Sequence, residues 1–216
     1  MWDSQVGAVA DIANPLPLDL DADETVGDAA DRVLAIAPAR FALVGFSMGG
    51  YVAFEIWRRA PGRVRRLALL STSARADDCE RLTSRQTQID RVESGEYQQL
   101  IDELAPLVVH PDGPMSSQVI SEIRRMATEI GPQAFIRQLR ICMSRADSRV
   151  DLGQVDCPTL VVCGRNDTLT PPALSREMAE SIPAARLELI DCCRHYSPME
   201  QPQTMNQLLR DWLSDD

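Results

Sequence analysis

The 216-residue chain contains no lysine, and all 22 of its basic side chains are arginine. That absence excludes a phosphate-loop lysine, a Schiff-base lysine and pyridoxal-phosphate chemistry. Histidine is nearly as scarce, with only His110 and His195, so an imidazole base must be one of these two. No apolar run approaches the roughly 20 residues of a membrane-spanning helix. The opening residues carry acids rather than a basic stretch and an apolar core, so no secretory signal is read there and the expected setting is cytoplasmic. The six cysteines form no C-x-x-C pair, and several lie in apolar, strand-like runs. They are read as reduced, mostly buried thiols, with no metal site. Adjacent Cys192 and Cys193 lack the spaced, convergent ligands that zinc requires. A net charge of −10 argues against a nucleic-acid partner. The glycines around Ser47 do not match the G-x-G-x-x-G of a dinucleotide site, and no cofactor is expected. The 44% apolar content is ample for the core of one globular domain.

Against this background one pentapeptide stands out, Gly45-Phe46-Ser47-Met48-Gly49. The preceding Arg40–Val44 reads as a short buried strand, and Met48–Arg59 reads as a helix carrying Tyr51, Val52, Phe54, Ile56 and Trp57. A serine between glycines at a strand-to-helix turn is a nucleophile elbow. The turn holds its serine in a strained conformation, so the residues two before and two after are expected to be small. The N-terminus of the following helix, with free N–H groups and partial positive charge, points at the place where an oxyanion would form.

A serine becomes a useful nucleophile only beside a base, and the base needs an orienting carboxylate. His195 follows the apolar run Leu187–Ile190 in a loop at a strand end. His110 lies on the Pro/Gly-rich turn His110-Pro111-Asp112-Gly113-Pro114 and is read as a surface or pocket-lining residue. The strand-like run Thr159–Cys163 ends in Gly164-Arg165-Asn166-Asp167, which makes Asp167 the nearest carboxylate. Asp191 is too close in sequence to His195 to serve as its usual partner, and Glu200 is read as a cap on the last helix. The order Ser47, Asp167, His195 places all three after predicted strands, where ligands sit in open parallel sheets.

The remaining pattern alternates strand and helix, the signature of a parallel sheet covered on both faces. Pro15–Leu20 is read as an edge-strand remnant weakened by its two prolines. Thr25–Ile36 is read as a helix opened by a Thr25/Asp28 capping box. Strand Val64–Ser71 follows the elbow helix. Later units are helix Pro172–Ser181, strand Arg186–Ile190 and helix Gln203–Leu213. Residues 74–151 break the alternation with helices near Asp78–Val92, Tyr97–Val108, Ser116–Ile130 and Pro132–Ser144. Met115, Met126 and Met143 there are candidates for pocket lining or for core filling. The arginines at positions 58, 59, 63, 65 and 66 are expected to complement the dipole of the elbow helix.

Four blocks carry a resemblance that spans nearly the whole chain: LVGFSMGGYVAFE, RRLALLSTSAR, CPTLVVCGRNDTLTPP and CCRHYSPMEQP. The chain resembles α/β-hydrolase-fold proteins of the small esterase and acyl-hydrolase type. The resemblance implies an α/β fold with a mostly parallel sheet and helices on both faces. Residues 1–73 and 152–216 would form the core and 74–151 a helical cap over the serine. It also implies Ser47 as nucleophile, Asp167 as acid, His195 as base and the Met48 N–H as an oxyanion donor. The substrate would be a small acyl ester or thioester cleaved through an acyl-serine, with no nucleic-acid or membrane partner and the oligomeric state open. Hydrolysis of a carbon–carbon bond with the same triad is an alternative. So is a non-catalytic protein that binds a small ligand. The departure from the family lies at the start. Relatives open with one or two strands and a His-Gly or glycine-rich loop that supplies a second oxyanion N–H. Here no such segment precedes Gly7, so an open sheet edge is expected.

Overall fold

The computed structural model describes residues 1–215. Four strands, β1 (Phe41–Phe46), β2 (Val64–Leu70), β3 (Thr159–Gly164) and β4 (Ala185–Ile190), form one sheet in the order β1-β2-β3-β4. Every pairing is parallel, so each chain crossover passes over a face of the sheet. The helices are α1 (Asp3–Val9), α2 (Val26–Ile36), α3 (Met48–Arg59), α4 (Cys79–Glu93), α5 (Tyr97–Leu104), α6 (Ser116–Ser144), α7 (Pro172–Ser181), α8 (Ser197–Glu200) and α9 (Pro202–Ser214).

The period-two alternation of the central strands builds two cores. Leu67, Leu69 and Val161 face one side, with Ala30, Phe54, Ile56 and Met178 from α2, α3 and α7. Ala68, Leu70, Leu160 and Val162 face the other, with Met205, Leu209 and Trp212 of α9 and Val9 of α1. A fully buried leucine contributes about 1.5–3 kcal/mol relative to an exposed one, so these β2 and β3 side chains anchor the sheet. β1 has a strand partner only on its β2 side, and its Ala42 is exposed. The edge is open among the described residues.

Pro15–Leu20 forms no strand. Two of its residues lack an N–H and cannot complete a ladder; Leu18 and Leu20 instead pack against the α2/α3 core. Helix α1 is not legible in the sequence, because its seven residues bury only Gln5 and Val9. Gln5 earns its place through hydrogen bonds, donating to the Pro198 carbonyl and to Asn206, each at 3.0 Å. Helix α2 starts as expected, with the Thr25 hydroxyl accepting from the Asp28 N–H at 3.1 Å. Arg63 does not serve the elbow helix. It donates to the carbonyls of Leu34, Ala37 and Pro38 at 2.7–3.1 Å, closing the C-terminus of α2 instead.

Segment 74–151 is helical. α6 changes direction at Gly131, whose φ of 73° is in the left-handed region, followed by Pro132. α4, α5 and the second half of α6 share a small core of Ile89, Val92, Leu100, Ile136 and Leu139. Where the segment leaves and rejoins the sheet, the buried Asp77 carboxylate accepts from Arg85 at 2.7 Å and Arg145 at 2.6 Å. The Arg145 guanidinium also lies 4.1 Å from the centre of the Tyr51 ring. No helix among the described residues is long and apolar enough to cross a membrane.

Candidate active site

Ser47 is the single residue between β1 and α3. Its φ of 49° and ψ of −114° are sparsely populated for a side-chain-bearing residue, a strain of about 1–3 kcal/mol. Three contacts hold it there. Its N–H donates to the Leu70 carbonyl at 2.8 Å, and its own carbonyl accepts from the Thr72 hydroxyl at 2.7 Å. Strand and helix also close tightly on each other, since a Cβ at Gly45 would lie 2.5 Å from the Gly49 carbonyl oxygen. The second essential glycine is Gly50 rather than the expected Gly49. A Cβ on Gly50 would come within 2.3 Å of the Thr72 hydroxyl, whereas one on Gly49 would meet nothing within 4 Å.

Asp167 and His195 arrive from the ends of β3 and β4. Their loops are laced together by Arg165 N–H to the Ile190 carbonyl at 2.8 Å and Asn166 N–H to the Cys193 carbonyl at 3.0 Å. Gly164 permits this approach, because a Cβ there would overlap the Arg194 carbonyl at 2.0 Å. Three described non-glycine residues have positive φ, namely Ser47, Ser71 and Cys192. Each lies just beyond the C-terminal end of β1, β2 or β4, so the backbone strain collects on the edge that carries the site.

The three polar side chains expected from the sequence meet here. His195 Nε2 is 2.8 Å from Ser47 Oγ, and His195 Nδ1 is 2.9 Å from Asp167 Oδ2. Asp167 and His195 are each only 3% exposed. Burial pushes the Asp167 carboxyl up. The hydrogen bond and charge of His195, with the N–H and hydroxyl of Thr170, outweigh it and hold the group below its ordinary value. Oδ1 accepts from the N–H groups of Leu169 and Thr170 at 2.9 and 3.0 Å, and Oδ2 also accepts from the Thr170 hydroxyl at 2.7 Å. Both carboxylate oxygens are satisfied, so the group stays an acceptor aimed at Nδ1.

Other candidates lie apart. Asp191 is exposed and pairs with Arg165. The His110 Nδ1 accepts from the Asp112 N–H at 3.2 Å within its own turn. Glu200 does not cap α9. It is buried and accepts from the N–H groups of His110 and Arg194. Met126 packs beside Val119 and Ile123, and Met143 beside Ile136 and Leu139. Met115 lines an open groove of about 370 Å³ with Val119, Pro198 and Met199, and Ser47 is not on its walls. Sequence reasoning missed Thr72 and Thr170. Their only signal was position: Thr72 sits just past the end of β2 and Thr170 three residues after the acid.

With this geometry in view, the comparisons are specific. The alpha/beta hydrolase family model matches residues 7–208. The chain belongs to that family. A pimeloyl-(acyl-carrier protein) methyl ester esterase of Nitrosomonas europaea is 29% identical over 185 residues, covering 81% of this chain and 70% of the esterase. A thermophilic esterase from Thermogutta terrifontis superposes with a TM-score of 0.83 at 29% identity, over 98% of this chain and 84% of that one. The enol-lactonase of Burkholderia xenovorans superposes at 0.82 with 23% identity, over 99% and 86% of the two chains, and this last likeness speaks to fold alone.

Proposed function

We propose that the protein is a serine hydrolase that cleaves a small acyl ester or thioester, with Ser47 as nucleophile, His195 as base and Asp167 as orienting acid. The observation that carries this reading is the unbroken hydrogen-bonded line from Ser47 Oγ through both ring nitrogens to Asp167. The similarity to two esterases supports the substrate class.

His195 takes the Ser47 proton as Oγ attacks the substrate carbonyl carbon, and the carbonyl electron pair moves onto oxygen. The N–H of Met48, first residue of α3, has no intrahelical acceptor and stabilises that oxyanion together with the helix dipole. Collapse expels the alcohol or thiol, protonated by His195, and leaves an acyl-serine. His195 then takes a proton from water as the water oxygen attacks the acyl carbon, and Ser47 leaves with that proton restored. Asp167 stays ionised throughout and stabilises the imidazolium formed in each half-reaction.

Residues 74–151 act as a cap that shapes the substrate pocket and limits water at the reacting centre. The contact of Val109 and Ile123 with Tyr196 and Met199, beside the base, supports this role. All six cysteines are free thiols, which suits a reducing, cytoplasmic setting.

Intact-mass analysis after fluorophosphonate treatment tests the reading, with Ser47→Ala as control. One adduct that is lost in the variant is the expected result. No adduct on folded protein would overturn the reading and favour a ligand-binding role.

A further inference from the structure

Glu200 is an expensive residue to place where it stands. It is the last residue of α8, 4% exposed, and its Oε1 is buried without a hydrogen-bond partner. A buried polar atom left unpaired is destabilising, so the reason for a carboxylate here lies with its other oxygen. That Oε2 accepts from the His110 N–H at 2.7 Å and from the Arg194 N–H at 3.2 Å. One donor belongs to the helical insertion and the other to the residue immediately before the base.

The same four-residue stretch of the insertion is held at every position. Arg194 donates through Nη1 to the carbonyls of Leu107 and Val109 at 3.1 and 3.3 Å. Between them, the His195 N–H donates to the Val108 carbonyl at 3.1 Å. Glu200 completes the row at His110. Next in the chain, Tyr196 packs with Met199 against Ala105, Val109 and Ile123. The Phe46 ring, adjacent to Ser47, lies 5.3 Å from the His195 ring and 5.5 Å from Tyr196. Residues 107–110 and the base loop are therefore laced by main-chain and charged hydrogen bonds, although 80 or more residues of chain separate them.

We propose that Glu200 is a positioning residue that clasps the insertion to the loop bearing His195, so that the imidazole is seated against Ser47 only while the insertion is docked. This rests on the hydrolase reading of the site. The charged acceptor matters because charge-assisted bonds are about twice as strong as neutral ones. It also matters because the loop it secures follows a strained residue, Cys192, with a φ of 49°. The clasp is a route by which a substrate that moves the insertion alters the base.

The test compares wild type, Glu200→Ala, Glu200→Gln and Arg194→Met. It reads the fluorophosphonate labelling rate at Ser47, kcat and KM on a p-nitrophenyl ester per titrated site, and deuterium exchange at the amides of His110 and Arg194. In Glu200→Ala, labelling and kcat are expected to fall about 100-fold, the scale of a 1 Å misplacement, with KM little changed. Exchange at both amides should rise. Glu200→Gln keeps a neutral acceptor for both donors, with weaker bonds, and should fall between wild type and Glu200→Ala. Wild-type labelling and unchanged exchange in Glu200→Ala would overturn the proposal, as would Glu200→Gln failing as fully as Ala. If Glu200→Ala does not fold, Arg194→Met decides, since it cuts the two arms to Leu107 and Val109. Slower labelling supports the clasp, and a wild-type rate overturns it. Failure of the wild type to label would instead sink the hydrolase reading, leaving amide exchange alone to decide whether the clasp exists.

Discussion

Two buried carboxylates, Asp77 and Asp167, show how one residue type does two jobs in the same molecule. In both, burial pushes the carboxyl up and its partners more than offset it, so both lie below the ordinary carboxylate value. The partners differ. Asp77 faces two guanidiniums, Arg85 and Arg145, which are charged at every accessible pH. It is a permanent ion cluster that pins the root of the insertion. Asp167 faces an imidazole, two backbone N–H groups and a hydroxyl, with no guanidinium among its side-chain partners. Its attraction for His195 is greatest when the ring takes a proton, the moment a hydrolase must stabilise. A partner of fixed charge stabilises the fold, and one that titrates serves the proposed reaction.

Substitution should separate the two roles cleanly. Asp167→Asn keeps the shape but favours the wrong imidazole tautomer, and kcat on an activated ester should fall about 10⁴-fold, with a smaller loss of melting temperature than in Asp77→Asn. Asp77→Asn should do the reverse. It leaves one buried and one partly buried guanidinium short of charge and should cost about 3–5 kcal/mol in urea unfolding, while the Ser47 labelling rate of the folded fraction holds. An intermediate effect is expected for Thr170→Val, which removes one hydrogen bond to a charged acceptor. At about 1.5 kcal/mol that corresponds to roughly a 10-fold loss in kcat.

Acid melts sharpen the contrast. Both carboxyls have folded values below the unfolded one, about 3.9, so the stability they confer is complete above that pH. It is lost as pH falls from there through the lowered folded values. Asp77→Asn should flatten that acid limb, read as unfolding free energy against pH. The smallest effect belongs to the elbow glycines. Gly49→Ala should leave stability unchanged or raise it by up to about 1 kcal/mol through helix propensity. Gly50→Ala must displace Thr72 and should destabilise the turn; equal melting temperatures for the two would refute the close-packing argument.

Most of the fold was legible because its signals are local. α3 and α7 have the bounds read from hydrophobic periodicity and proline position, and the other strands and helices that were read differ by a few residues at their ends, whereas the short α8 lies in a stretch read as loop. Ser47, Asp167 and His195 were legible because a strand-to-helix turn and strand-end loops mark them without knowledge of distant partners. Helix α1 was not, since its support is Val9 packed against α9 and the hydrogen bonds of Gln5 to residues nearly 200 positions away. Pro15–Leu20, read as an edge-strand remnant, forms no strand, since its two prolines cannot complete a ladder.

Which glycine the elbow needs, which helix Arg63 closes and what Glu200 holds were decided in space alone. Arg63 and Glu200 depend on backbone groups of another element, which carry no residue identity for a sequence to display, and Gly50 depends on the Thr72 side chain beyond the next strand. The succession of strands and helices along the chain, the strained turn and the residue types for acyl transfer were set by the chain itself. The 2.8 and 2.9 Å contacts that align them, and the lacing of residues 107–110 to the base, came only when the sheet brought three loop ends to one edge.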